Sequence, residues 1–121
     1  MTTTATIQRP AEELVLARRL RIEVTAQDLA TGLRNSEFLG PIAHAVRRKF
    51  LPFLEVSVTG SHDPEGPKIW VLVPDGCEVT YRAGRQIGEW MSAFDAGEVV
   101  HPFCFEAQLT TAGGLRLVDS L

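Results

Sequence analysis

The fold is decided by Phe53-Leu-Glu-Val-Ser-Val-Thr-Gly60 and, after a short loop, by Ile69-Trp-Val-Leu-Val73. The first run alternates apolar and polar residues, which is the period of a strand with one buried face. The second is a dense β-branched and aromatic run of strand length. We predict that the two runs pair across loop 61–67, so that an antiparallel sheet organises the chain.

Three further segments carry a strand pattern. Residues 20–25 alternate apolar and polar, residues 77–83 follow the turn signal Pro74-Asp-Gly76, and residues 103–109 alternate after a proline. Segment 77–83 is predicted to extend the meander, and segment 103–109 to return to the sheet as its last strand. The sheet is therefore expected to contain four or five strands.

Three helices are predicted near residues 26–34, 41–50 and 85–96. Thr25 and Asp28 resemble a capping box at the start of the first helix, since a threonine followed three residues later by a carboxylate satisfies free backbone N–H groups. Its expected inward face is Leu29, Ala30 and Leu33.

The second and third helices have their own signals. Pro41 suits a first helical position, because its missing N–H would have no partner there. The third helix has the clearest apolar stripe, with residues at i, i+3, i+4 and i+7. These residues are Ile87, Trp90, Met91 and Phe94.

Together these segments predict one α+β domain over residues 20–109. In it, an antiparallel sheet of four or five strands is covered on one face by two or three helices. Residues 1–19 are predicted to form an N-terminal arm or a short helix starting at Pro10, and residues 110–121 a C-terminal tail. A chain of 121 residues can bury roughly two thirds of its unfolded surface, so it does not need disulfide bonds or a metal ion to fold stably.

Charge and hydropathy exclude some functions. The formal net charge is −3, which provides no whole-molecule attraction to phosphate backbones. The start of the chain has no basic segment followed by an apolar run, and no run approaches the roughly 18 apolar residues of a membrane helix. We expect a cytoplasmic protein without a membrane partner.

Cysteine and histidine spacing predicts no metal or cofactor. Cys77 and Cys104 match no zinc pattern and are expected to be reduced and buried. The three histidines do not have the sequence spacing of metal ligands; they are His44, His62 and His101. His62 precedes Asp63, but no nucleophile motif accompanies this pair, and a polar turn is the favoured interpretation. We therefore predict no catalytic residue and no enzyme activity.

A basic patch formed by Arg47, Arg48 and Lys49 can contact phosphates or an acidic partner; the alternative is solvated charge at a helix end, where it complements the dipole. The segment 25–42 superficially resembles a helix-turn-helix. However, Gly32 falls within the first helix instead of the turn, and Pro41 would break a groove-binding helix. Two helices that pack on the sheet are favoured.

The second face of the sheet is a candidate partner surface. If Ile69 and Val71 face the helices, Trp70 and Leu72 lie on the opposite face, and Tyr81 of the neighbouring strand is expected to join them. An apolar sheet face without helices marks a surface for a partner protein or a second copy.

Several short motifs occur in a familiar order. They are Ile22-Glu-Val-Thr25, Gly32, Gly40-Pro-Ile-Ala-His-Ala45, Phe94-Asp-Ala-Gly97 and Pro102-Phe-Cys-Phe105. This pattern resembles small uncharacterised proteins of actinobacterial phages and their hosts. The likeness covers roughly residues 20–109 and implies no activity; those proteins carry Cys where this chain has Gly40.

The expected function is a small non-enzymatic accessory protein of phage type. It would bind a host protein, or itself as a homodimer, through the surface of Trp70, Leu72 and Tyr81. The alternative is a nucleic-acid-binding accessory factor that uses the basic patch 47–49.

Overall fold

The computed structural model describes the backbone of residues 15–49, 55–72, 78–111 and 116–120. Nine elements follow one another in this part of the chain. They are β1 (Val15–Val24), α1 (Ala26–Thr31), α2 (Pro41–Lys49), β2 (Glu55–Thr59), β3 (Lys68–Leu72), β4 (Glu78–Arg82), α3 (Arg85–Asp95), β5 (Phe103–Thr111) and β6 (Arg116–Ser120). The predicted α+β class, an antiparallel sheet with helices, is confirmed.

The strands form one sheet in the order β2-β3-β4-β5-β1-β6. Each adjacent pair among the first five strands is antiparallel, as predicted, and β6 joins β1 in parallel. Segment 103–109 does return to the sheet, but it lies between β4 and β1, and a sixth strand follows it.

Both ends of the predicted domain are corrected. β1 begins at Val15, so residues 15–19 form a strand and no helix; residues 1–14 lie outside the described part. The predicted tail contains β6, which pairs with residues 15–19 of β1. The reason is tertiary, since these segments are held by each other and no local pattern reports such a pairing.

Helix α2 lies between β1 and β2 and packs against both. These strands are four positions apart, which would be roughly 19 Å in a flat sheet. A helix only about 10–12 Å wide reaches both because the sheet curls around it. The inward side chains of α2 are Ile42, Ala43, Ala45 and Val46, all buried.

Helix α3 presents its predicted apolar stripe to the core. Ile87 is buried, and the half-buried Trp90 and Met91 pack against the core cluster. The Trp90 ring centroid lies 4.7 Å from that of Phe103 on β5 and 5.9 Å from that of Phe94. The expected helix position is confirmed, and Ile87, Trp90 and Met91 of the predicted stripe face the core.

Helix α1 begins with the predicted capping box at Thr25 and Asp28, but it ends at Thr31. Leu29 is half-buried as expected, whereas Ala30 is exposed and Leu33 lies beyond the helix with 53% of its surface exposed. The predicted inward face is therefore wrong at two of three positions. Gly32 ends the helix in an extended conformation, which turns Leu33 away from the helical face.

Candidate partner-binding surface

The outer face of strands β2 to β4 carries an apolar cleft of about 220 Å³. Its lining comes from these strands and from the loop between α1 and α2. The lining residues are Phe38, Glu55, Ser57, Trp70, Val71, Leu72 and Glu78. The sheet positions Trp70 and Leu72 on this face because successive strand side chains point to opposite sides.

Phe38 has an anchored backbone and an exposed ring. The Glu37 carbonyl accepts the Val58 N–H of β2 at 2.9 Å, and the Phe38 carbonyl accepts Arg47 Nη1 of α2 at 2.7 Å. Even so, 53% of the Phe38 surface is exposed. The loop thus holds an aromatic side chain at the cleft without burying it in the core.

Trp70 is fixed by two contacts beside the cleft. Its Nε1 donates to Thr59 Oγ1 at 3.1 Å, across the β2–β3 pair. The Lys68 ammonium lies 4.9 Å from the centroid of the indole ring, within the range of a cation–π contact. The orientation of the indole is therefore fixed by contacts within the fold.

Two carboxylates border the cleft at Leu72. The register places Leu72 directly opposite Glu55 on one side and Glu78 on the other. Both glutamates are exposed, and neither has an ion-pair partner among the described residues. This end of the cleft combines an apolar floor with unneutralised negative charge.

Tyr81 does not belong to this surface. It pairs directly with Ile69, so both side chains point inward, and Tyr81 is fully buried. The expectation that it joins Trp70 and Leu72 is therefore wrong. The register between β3 and β4 decides the face of Tyr81, and the sequence pattern of one strand does not contain that register.

In the basic patch, Arg48 is engaged within the fold. Its two guanidinium nitrogens donate to the two carboxylate oxygens of Asp28, both at 2.7 Å, and Nη2 also donates to the Glu23 carbonyl at 2.9 Å. Asp28 is 2% exposed and completes the capping box with Thr25. The pair ties α1, α2 and β1 together.

This geometry shifts both ionisations. Burial alone would raise the pKa of Asp28, but hydrogen bonds from Arg48 and Thr25 outweigh it and hold the pKa below the ordinary 3.8. The hydrogen bond to Asp28 raises the pKa of Arg48. The pair is therefore charged at neutral pH.

Arg47 is also engaged, since it donates to the Phe38 carbonyl and, through Nη2, to His44 Nδ1 at 2.8 Å. An arginine only donates, so His44 Nδ1 accepts in this contact. Of the three predicted basic residues, Arg47 and Arg48 thus bind groups of the protein itself, and Lys49 is exposed at the end of α2.

Cys104 is exposed, which corrects the expectation of a buried thiol; Cys77 lies outside the described residues. Cys104 pairs with Glu23 on the outer face of the β1–β5 ladder, and Arg21 Nη2 lies 3.6 Å from its Sγ. Strand parity again decides the outcome, because Phe103 and Phe105 take the inward positions.

His62 borders a wide, open groove of about 570 Å³ between loop 61–64 and α3. Its neighbour Asp63 accepts the Glu65 N–H at 2.9 Å and lies 3.2 Å from Arg82 Nη1. The hydrogen bond from the Glu65 backbone, with Arg82, lowers the pKa of the Asp63 carboxyl. This arrangement is the polar turn that the sequence favoured.

Within the described ranges, no three His, Cys, Asp or Glu side chains are grouped to hold a metal ion. No helix among α1 to α3 is long and apolar enough to cross a membrane. Comparison with protein families, curated proteins and solved structures produced no match.

Phe38 and the Asp28–Arg48 pair were missed by sequence reasoning. Phe38 stands in the loop segment Asn35-Ser-Glu-Phe-Leu-Gly40, where two large apolar residues follow polar ones without any helical or strand period. Large apolar residues in such a loop are the feature of the sequence that could have indicated an exposed aromatic side chain. The two residues of the ion pair are 20 positions apart in the sequence, so no short sequence motif predicts their contact.

Proposed function

We propose that this chain is a small non-enzymatic accessory protein, of the phage type that its motifs resemble, which acts in the host cytoplasm. It binds a host protein at the cleft of Phe38, Trp70 and Leu72. The observation that carries the proposal is Phe38: hydrogen bonds from Val58 to the Glu37 carbonyl and from Arg47 to the Phe38 carbonyl hold its loop in place, while 53% of the Phe38 surface stays exposed. The ring is not buried in the core, so we infer that a bound partner buries its exposed surface.

The chemistry of the cleft supports a protein partner. Aromatic residues in preformed pockets provide most of the binding energy at protein interfaces, and a tryptophan whose orientation is already fixed loses little entropy on binding. Pockets for small ligands are typically larger, about 300–1,000 Å³. A cleft of about 220 Å³ suits one or two side chains of a partner.

The nucleic-acid alternative has less support. Arg47 and Arg48 would have to release the Phe38 carbonyl and the Asp28 carboxylate before they could bind phosphates. Releasing Arg48 would leave a buried carboxylate without its partner, which is strongly unfavourable. We therefore favour the cleft over the basic patch.

The test is affinity capture from an actinobacterial host lysate, with identification of the captured proteins. The baits are the native protein and the variants Phe38→Ala, Trp70→Ala and Val99→Ala. Val99 is 87% exposed and does not line the cleft, so Val99→Ala is a matched control for loss of an exposed apolar side chain.

We expect one specific protein to be captured by the native chain and by Val99→Ala, and to be lost with both cleft variants. Circular dichroism must show that all baits are folded. Identical capture by all four folded baits would contradict the proposal, as would salt-dependent capture of nucleic acid that Arg47→Ala and Arg48→Ala remove.

A further inference from the structure

We propose that the cleft binds a linear segment of its partner in which an apolar side chain is flanked by lysine or arginine. This inference rests on the proposed function and adds the chemistry of the partner. It depends on the two carboxylates beside Leu72 and on the distribution of charge along β3.

The carboxylates are arranged to hold cations on both sides of an apolar group. Residues directly opposite in antiparallel strands have Cβ atoms about 5 Å apart, so Glu55 and Glu78 each adjoin Leu72. They are separated from each other by two strand spacings, roughly 10 Å. An apolar side chain of the partner that packs on Leu72 would therefore have a carboxylate on either side, and basic residues next to it in the partner could reach both carboxylates.

The opposite end of the same face carries positive charge that is already engaged. Arg82 lies 3.2 Å from Asp63 and 3.8 Å from Glu65, and its Nη1 donates to the Gly66 carbonyl. The Lys68 ammonium lies over Trp70. Neither of these cations lines the cleft, whose charged lining residues are Glu55 and Glu78 at the Leu72 end, and this assigns the basic residues of the partner to that end.

The size of the surface argues for a segment and against a second copy of the chain. Three strands of five residues present an area of roughly 17 by 10 Å. Each partner in a standard interface buries about 800 Å². A second copy would also bring its own Glu55 and Glu78 to the cleft, while its Arg82 is ion-paired with its own Asp63 and Glu65.

The test uses the full chain and two labelled peptides, Gly-Ser-Lys-Leu-Lys-Ser-Gly and the same peptide with glutamate in both lysine positions. Binding is measured by fluorescence anisotropy at low and high salt. We expect the lysine peptide to bind roughly fivefold to tenfold more tightly at low salt, as two exposed ion pairs allow. High salt should reduce that preference, because it screens exposed charges.

Variants separate this inference from the proposed function. The double substitution Glu55→Gln and Glu78→Gln should abolish the preference for lysine, while Trp70→Ala should weaken both peptides. Glu89→Gln with Glu98→Gln, which removes two exposed carboxylates outside the cleft, should change nothing.

Equal binding of both peptides, lost on Trp70→Ala, would overturn the basic segment and leave the proposed function standing. No binding of the lysine peptide would also overturn it, and the lysate capture then decides the proposed function alone. A dimer in sedimentation equilibrium that Trp70→Ala dissociates would assign the cleft to a second copy instead.

Discussion

The two faces of β3 differ in almost every respect although their residues alternate along five positions. Inward, Ile69 and Val71 are completely buried in the core cluster. Outward, Trp70 is half-buried and Leu72 is 38% exposed. The inner residues hold the sheet to its helices, whereas the outer residues are left available to another molecule.

Carboxylates show the same contrast. The carboxylate of Asp28, on the inner side, accepts hydrogen bonds from Arg48 and from the Thr25 N–H. Glu55 and Glu78, on the outer side, have no such partners among the described residues. Burial of a carboxylate is costly unless it is paired and hydrogen-bonded, and this cost does not arise on the exposed outer face.

The largest expected effect is on the inner face. Ile69→Ala should lower the free energy of unfolding by about 3–4 kcal/mol, because it removes buried methylene groups and leaves a cavity. Urea denaturation measures this loss, with Ile69→Val as a milder control at about 1 kcal/mol. A loss for Ile69→Ala as small as that of Leu72→Ala would break the contrast between the two faces.

Removal of the inner carboxylate should have the next largest effect. Asp28→Ala deletes both the helix cap and the charged hydrogen bonds to Arg48, so we expect a loss of about 2–3 kcal/mol. Arg48 is half exposed and can return to water, which keeps the loss below that for a fully buried pair. Urea denaturation of Asp28→Ala and of Glu78→Ala compares the two losses of unfolding free energy. Equal losses would contradict the expected difference between the inner and the outer carboxylate.

The pH dependence sharpens the same comparison. The folded state lowers the pKa of Asp28 below 3.8, so its contribution is complete above the unfolded pKa of about 4. It is lost as the pH falls through the lower folded value. The stability difference between the native chain and Asp28→Asn should therefore be constant near neutrality and shrink below about pH 4; a difference that grows on acidification would refute it.

On the outer face, Leu72→Ala should cost less than about 1 kcal/mol of stability, since its side chain is already partly exposed. The same substitution should weaken partner or peptide binding severalfold. Thermal unfolding and anisotropy on one preparation measure both effects. Loss of stability in proportion to loss of binding would mean that Leu72 acts through the fold.

The smallest effect is expected for Glu78→Gln. Two carboxylates roughly 10 Å apart repel each other by about 0.4 kcal/mol in water, so the variant should be as stable as the native chain or slightly more stable. Denaturation at low salt tests this, with Glu98→Gln as the control. A clear destabilisation would show that Glu78 has a structural partner.

Local pattern predicted the parts of this fold that depend on local physics. The alternation of β2 and β3, the Thr25–Asp28 cap and the stripe of α3 follow from periodicity and from end-of-helix chemistry. In the candidate site, the same alternation placed Trp70 and Leu72 outward.

The remaining features depend on contacts between distant residues. β6 and the start of β1 form because they pair with each other, and the register with Ile69 places Tyr81 inside. Phe38 reaches the cleft only because Val58 and Arg47 hold its loop. Arg48 meets a carboxylate from another helix. None of these contacts can be predicted from the periodicity of apolar residues in the sequence.

The Arg48 contact with the Glu23 carbonyl has a consequence for self-association. In the described chain, β6 pairs with β1 only as far as Arg19, so the rest of that strand edge has no neighbouring strand beyond it. Open strand edges are templates for pairing with other chains and lead to aggregation. The guanidinium of Arg48 already bonds to the Glu23 carbonyl of β1 at 2.9 Å, so this backbone acceptor is less available to a second chain that approaches the strand.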